Sequence, residues 1–135
     1  MDSLAPKQQF LASLDRCTQS AEFLTEFYEH FINSSQEVRI HFAGTNIEKQ
    51  SQMLRRSLQL TAAATTGDAT GLRELRARAE SHDRDHLNVR PKLYELWRVS
   101  LIETARRFDD AWDHDVEDAW NRILGYVINH MTRHY

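Results

Sequence analysis

The sequence predicts an all-α fold formed as one domain by residues 1–135. Glycine and proline, which punctuate short strands and turns, occur only four and two times. No stretch alternates apolar and polar residues between turn signals, as a half-buried strand does. Several stretches instead repeat apolar residues at intervals of three and four, which is the spacing along one face of an α-helix.

The first two helices are predicted near the start of the chain. One covers about Leu4 to Cys17, and the next begins near Ser20 and ends at Asn33. The second helix carries an apolar stripe at positions i, i+3, i+4 and i+7, formed by Leu24, Phe27, Tyr28 and Phe31. This stripe predicts an aromatic face that is turned toward the protein interior.

A corner separates these helices from the next one. The short piece QEVRIHF leads into AGTN, where Gly44 and Asn46 suit a turn and Asn46 can cap a helix. That helix covers about Ile47 to Thr66. Gln50 falls in line with its apolar residues, which are Ile47, Leu54, Leu58 and Ala62. A polar residue in a buried line requires a partner, so Gln50 is a candidate functional residue.

Three further helices follow. The first, after TTGDATG, has one face formed by Leu72, Leu75, Ala79 and His82. Pro91 disfavours helical geometry at the residue before it, so residues 85–90 are predicted to be frayed or turned. Pro91 suits the first position of a helix that reaches Phe108, and the last helix covers about Asp113 to Arg133.

Charge and composition exclude several classes of protein. The chain has 17 basic and 20 acidic residues, a net charge of -3 and no long block of one sign, so neither nucleic acid nor a membrane surface is expected as a partner. Cys17 is the only cysteine, which excludes an internal disulfide. The sequence shows neither a secretory signal nor the ~20 apolar residues that cross a bilayer. We therefore expect a cytoplasmic protein.

Four residues from three predicted helical regions suggest a common site, namely Tyr28, Phe42, Gln50 and His82. A histidine at the end of an apolar stripe is often only a helix C-terminal residue that the helix dipole favours. A flat hydrophobic cofactor would explain the whole set, because haem iron takes an axial histidine, an apolar lining and a distal hydrogen-bond donor. The sequence therefore favours a haem site.

Two stretches resemble a known family. FYEHFINSSQEVRIHFAGTNIEKQSQML resembles the globin region from the second helix through the distal helix, and HDRDHLNVRPKLYELW resembles the proximal region of bacterial globins. The sequence is similar, over about residues 4–131, to single-domain bacterial globins related to flavohaemoglobins and globin-coupled sensors. This resemblance implies a globin fold, a three-on-three helical sandwich around a haem pocket, and one non-covalently bound haem b (iron protoporphyrin IX).

The resemblance also implies the residues that bind the cofactor. They are Tyr28, Phe42, Gln50, Leu54, His82, Val89 and Tyr94. His82 is implied as the iron ligand and is favoured over His86, which lies closer to the turn imposed by the proline. Tyr28 and Gln50 are implied on the distal side, where they hydrogen-bond a gas ligand, and Phe42 is implied as a ring stacked against the porphyrin.

Other polar residues are candidates for the edge of the pocket. Arg84 and Arg90 are expected near the haem carboxylates, because a guanidinium pairs with a carboxylate in a fork geometry. Asp115 and Tyr94 are candidates for a hydrogen-bonding pair on the proximal side. The candidates for a second axial ligand are Gln50, Lys49 and His41.

The predicted function is reversible binding of oxygen or another diatomic gas by a monomer or homodimer. One alternative is a nitric oxide dioxygenase that receives electrons from an external reductase. Two others need no haem: a globin-like module for protein interaction or signalling, and a helical protein that binds a metal through His82 and His86, which are four residues apart.

Overall fold

The computed structural model describes residues 5–135, and these residues form seven helices and no strand. The helices are α1 (Pro6–Thr18), α2 (Phe23–Ile32), α3 (Gln36–His41), α4 (Ile47–Ala64), α5 (Ala69–His82), α6 (Pro91–Phe108) and α7 (His114–Arg133). This arrangement confirms the all-α prediction. None of the helices in this range is long and apolar enough to span a bilayer.

The helices pack in two layers of three. α4 lies against α5 and contacts α1, while α6 lies between α2 and α7 in the other layer. Between the layers, α1 packs on α7, α2 packs on α4, and α5 packs on α7. The result is the predicted three-on-three sandwich, with α3 as a short addition next to α2.

Several helix ends differ from the predictions for local reasons. The predicted start at Leu4 lies outside the described residues, and α1 begins with Pro6. α2 starts at Phe23 because Ser20 to Glu22 form a turn, in which the Ser20 hydroxyl accepts a hydrogen bond from the Glu22 amide at 3.3 Å. The end of α5 at His82 confirms the predicted turn before Pro91.

α3 is a helix that the sequence analysis described only as a short piece. It has six residues, which is too few for an apolar period to be recognised. The Ser35 side chain caps it by accepting a hydrogen bond from the Val38 amide at 3.1 Å. The predicted cap of α4 is confirmed, since the Asn46 side chain accepts from the Lys49 amide at 3.1 Å.

A buried polar network fastens α1 to α7 and to the link that precedes α7. Trp120 Nε1 donates to Ser13 Oγ at 2.8 Å, and Ser13 Oγ donates to Asp109 Oδ2 at 2.5 Å. Arg16 completes the network with Nε and Nη2 bonds to the two Asp109 oxygens at 2.5 and 3.0 Å. Because each buried polar atom of this network has a partner, the core gains rigidity without an unpaired charge.

α4 and α5 come into backbone contact at Gly71. A Cβ atom placed on Gly71 would lie 2.2 Å from the Leu60 carbonyl oxygen and 2.7 Å from the Ala64 amide nitrogen. Both are main-chain atoms of α4, so they cannot move aside as a flexible side chain can. Any residue larger than glycine would therefore push the two helices apart.

Replacement of Gly71 by alanine is expected to lower the free energy of unfolding by about 1–3 kcal/mol, because the added methyl overpacks the contact. Gly125→Ala is the matched control, since a Cβ at this helical glycine meets nothing within 4 Å. The control should gain up to about 1 kcal/mol from helix propensity. Urea unfolding followed by circular dichroism measures both, and an equal gain in the two variants would contradict the close contact.

Candidate functional site

A cavity of about 640 Å³ lies inside the helical sandwich. Every helix except α1 contributes to its lining, and so do the turn after α3 and the segment between α5 and α6. Its size falls within the range of sites that enclose a small molecule or cofactor. A hollow interior of this size in a chain of 135 residues indicates a binding site, because protein cores are otherwise closely packed.

All seven predicted cofactor-binding residues line this cavity. They are Tyr28, Phe42, Gln50, Leu54, His82, Val89 and Tyr94. The structure thus brings together residues from four helices and two connecting segments that are spread over 67 positions, from 28 to 94. Their location is the predicted one, while their individual roles stay predictions.

Two apolar clusters face the cavity from different parts of the fold. The α2 wall contains Tyr28, Phe31, Val38 and Leu58, with Phe42 and Leu54 packed against it. The α5 wall contains Leu75, Tyr94, Val127 and Met131. Val89 packs against both clusters. Tyr28 and Tyr94 therefore belong to different walls, and the cavity lies between these walls.

Tyr28 is a buried hydroxyl donor in the α2 wall. Its ring lies 5.5 Å from the Phe42 ring and 4.8 Å from the Phe27 ring, and the residue is 3% exposed. Burial raises the pKa of Tyr28 above its ordinary value, and a hydrogen-bonding interaction with the Gln50 side chain opposes this only in part. The hydroxyl therefore keeps its proton at neutral pH and can donate it in a hydrogen bond.

The hydrogen bonds of His82 leave one ring nitrogen available. Ser81 Oγ donates to the Arg78 carbonyl at 3.1 Å and lies 2.9 Å from His82 Nδ1. The Ser81 hydroxyl has a single proton, which it donates to the Arg78 carbonyl. The hydrogen in the contact between Ser81 Oγ and His82 Nδ1 is therefore carried by Nδ1. His82 Nε2 then carries a lone pair, and within residues 5–135 no hydrogen-bond partner occupies it. This is the tautomer that metal-binding histidines adopt.

The environment of His82 also favours its neutral form. Burial lowers the pKa of His82 below its ordinary value, and the positive charges of Arg78 and His41 lower it further, against a hydrogen bond to the Arg78 main chain. A neutral imidazole is the form that coordinates a metal. His82 is therefore prepared as a ligand by its position, its tautomer and its charge.

The structure places five other candidate residues away from the cavity. His86 is exposed and pairs through Nδ1 with Asp83 Oδ1 at 2.6 Å, so it does not share a face with His82. Arg90 forms a fork with the two Glu37 oxygens at 2.9 and 3.1 Å. The remaining residues outside the cavity lining are Arg84, Asp115 and Lys49. Asp115 instead lines a small separate recess.

The positions of Arg84, Arg90 and His86 bear on two predictions made from the sequence. Arg84 lies 4.8 Å from the Tyr135 ring centroid and Arg90 pairs with Glu37, so the position of either residue near the haem carboxylates stays a prediction that the cavity lining does not support. A metal site of His82 with His86 has no support either. Within the described part of the chain, no three His, Cys, Asp or Glu residues are grouped as metal ligands.

Two arginines of the lining were missed by sequence reasoning. Arg56 and Arg78 are cationic groups at the cavity, where the one acidic residue of the described lining is Glu74. Arg78 Nε is buried without a hydrogen bond and lies 3.4 Å from Glu74 Oε2. The position of Arg78, four residues before His82, could have revealed it, because such residues share a helix face.

The lining fits haem by its chemistry. Haem b is a flat apolar ring with two carboxylate arms, and the cavity combines two apolar walls with an excess of positive charge. The buried Nε of Arg78 is an unused donor that a carboxylate would satisfy. The free Nε2 of His82 is the donor that iron requires.

Comparison with known proteins agrees with the fit of haem to the cavity lining. No protein-family model matches the chain, and no curated protein is detectably similar to it. Among solved structures, the chain is similar to a crystal structure from Pseudomonas aeruginosa PAO1, described as structurally highly homologous to a human haemoglobin. The TM-score is 0.91 and the sequence identity is 31%, over 97% of this chain and 98% of the other.

The fold and the similarity define the class of the protein as a globin. The chain belongs to the bacterial single-domain globins. Both the family and the globin fold that the sequence predicted are confirmed. The globin fold indicates haem binding as the general function.

Proposed function

We propose that this globin holds one haem b in the cavity, with His82 as the axial ligand, and binds oxygen or another diatomic gas reversibly. The observation that carries the proposal is the free Nε2 of a neutral His82 at a cavity with an apolar lining. When bound, haem supplies the iron at which a diatomic gas binds.

Residues of both walls and the two arginines of the lining would hold the cofactor. Phe42 and Leu54 present apolar surface from the α2 wall, and Val89 and Tyr94 do so from the opposite side. Arg78, whose buried Nε makes no hydrogen bond and has only a 3.4 Å ion pair with Glu74, is the residue best suited to bind a haem carboxylate. Arg56 adds a second positive charge to the lining.

Tyr28 and Gln50 would act on the gas. The Tyr28 hydroxyl keeps its proton because burial disfavours the phenolate, so it can donate a hydrogen bond to a polar gas ligand. Gln50 lies close enough to interact with that hydroxyl and orients it. The surrounding apolar wall excludes water from the same space, which strengthens the hydrogen bond.

Titration with haem tests the cofactor assignment and the role of Arg78 together. The native protein is expected to bind one haem per chain with a Soret band, and Arg78→Leu should bind it roughly tenfold more weakly, since a charge-assisted hydrogen bond is lost. Haem dimethyl ester, which has no carboxylate charge, should bind the two proteins equally. Arg84→Leu is the control and should match the native affinity for haem.

Two results would overturn these assignments. Absence of a Soret band in the native protein would remove the haem proposal. An Arg78→Leu variant that loses affinity for haem and for its dimethyl ester to the same degree would show that Arg78 acts on the fold and does not bind a carboxylate.

Removal of the Tyr28 hydroxyl tests the gas-binding role. Tyr28→Phe is expected to raise the oxygen dissociation rate about 10- to 100-fold, the equivalent of one hydrogen bond to a charged or strongly polar ligand. Tyr126→Phe removes a hydroxyl from an exposed residue outside the cavity lining and should leave the rate unchanged. Flash photolysis or stopped-flow exchange against carbon monoxide measures both rates, and an unaltered rate in Tyr28→Phe would refute the assignment.

A further inference from the structure

α3 and the turn after it form a flap over the cavity. The flap is defined as residues 36–46, and it contributes Val38, His41, Phe42 and Thr45 to the lining. Its main helix contact is with α2. Val38 is the buried residue of α3, whereas Ile40 is 68% exposed. Apart from Val38 and the Phe42 ring, which packs against Tyr28 and Phe31, few buried contacts hold the flap to the rest of the fold, as is typical of segments that open locally.

The turn of the flap has a backbone that can act as a hinge. Gly44 has a φ of +78°, a left-handed conformation that glycine adopts without steric cost. A Cβ at Gly44 would meet nothing within 4 Å. No atom from elsewhere in the described residues therefore packs against that side of the glycine.

A cluster of ion pairs connects the flap to the start of α6. Arg90 donates from Nε and Nη2 to the two Glu37 oxygens at 2.9 and 3.1 Å, and Lys92 Nζ lies 3.4 Å from Glu37 Oε1. We call this cluster the latch. Bidentate geometry and a third charge make it stronger than an isolated surface ion pair.

On the α6 side of the latch, the chain before Arg90 is held by several hydrogen bonds. Arg90 follows the segment 83–89, whose Val89 amide donates to the His82 carbonyl at 3.0 Å. Tyr135 holds the same segment from the end of α7, because its main-chain oxygen accepts from the Arg84 amide at 3.1 Å and its hydroxyl donates to Asn88 Oδ1. The flap is therefore the side that moves when the latch opens.

We propose that opening of the latch between Glu37 and the pair Arg90 and Lys92 releases the flap and sets the rate at which haem enters and leaves the cavity. This inference rests on the proposed function of haem binding. The latch residues touch neither the lining charge of Arg78 nor the ligand His82. The latch residues would affect only the entry and exit of haem. The affinity of the haem iron for a gas should therefore not depend on them.

A double-mutant cycle tests the latch in the haem-loaded protein. Glu37→Gln and Arg90→Gln are each expected to speed haem transfer to an excess of apomyoglobin about 3- to 10-fold. The double variant should be no faster than Glu37→Gln, because loss of the Glu37 carboxylate already removes the ion pairs with both Arg90 and Lys92. Raised salt should speed transfer from the native protein more than from Glu37→Gln, since an exposed ion pair is screened.

The matched control is Glu26→Gln, which breaks the exposed ion pair of Glu26 with Arg107 between α2 and α6 at 2.8 Å. Neither residue lines the cavity, so haem transfer should stay at the native rate. Native transfer rates in Glu37→Gln and Arg90→Gln would overturn the latch. So would singles whose effects multiply in the double variant.

A second measurement separates the latch from the proposed function. If the native protein takes up no haem, the proposed function fails, and hydrogen exchange of the haem-free protein still tests the latch. The amides of α3 should then exchange faster in Glu37→Gln than in the native protein or in Glu26→Gln. Equal exchange in all three would overturn the latch.

Discussion

The close contact of α4 and α5 at Gly71 determines where the cavity can exist. The two backbones meet at Leu60 and Ala64 of α4, near its C-terminal end, and near the start of α5. The cavity-lining residues of α4 run from Gln50 to Thr61 and those of α5 from Glu74 to His82, so the lining begins beside this contact and extends to the opposite ends of both helices. Glycine at position 71 thus allows the close approach of the two helices that carry Gln50 and the proposed ligand His82.

Desolvation in the cavity prepares two residues for different tasks. Burial raises the pKa of Tyr28 and lowers the pKa of His82, so both side chains are neutral at neutral pH. The phenol then remains a hydrogen-bond donor, and the imidazole remains a Lewis base. One physical cause therefore keeps a hydrogen-bond donor and a lone-pair donor available on residues from two helices, which are the properties that the proposed roles at the gas and the iron require.

The sequence predicted those features that depend on local spacing. Helix period located six of the seven helices among the described residues, and a six-residue α3 was too short for that signal. The resemblance to globins implied seven cofactor-binding residues, and all seven line the cavity. The sequence did not reveal that Arg90 pairs with Glu37, which lies 53 positions away. No local pattern reveals such a pair. Ser81 directly precedes His82, but the sequence alone does not show that its hydroxyl contacts His82 Nδ1.

The most direct test of the account is the axial ligation of haem by His82. In reconstituted ferrous protein, His82→Gly should lose the iron–histidine stretching band in the resonance Raman spectrum, and added imidazole should restore a band by occupying the vacated space. His86→Gly should keep the native band without imidazole. A native band in His82→Gly, or its loss only in His86→Gly, would contradict the account.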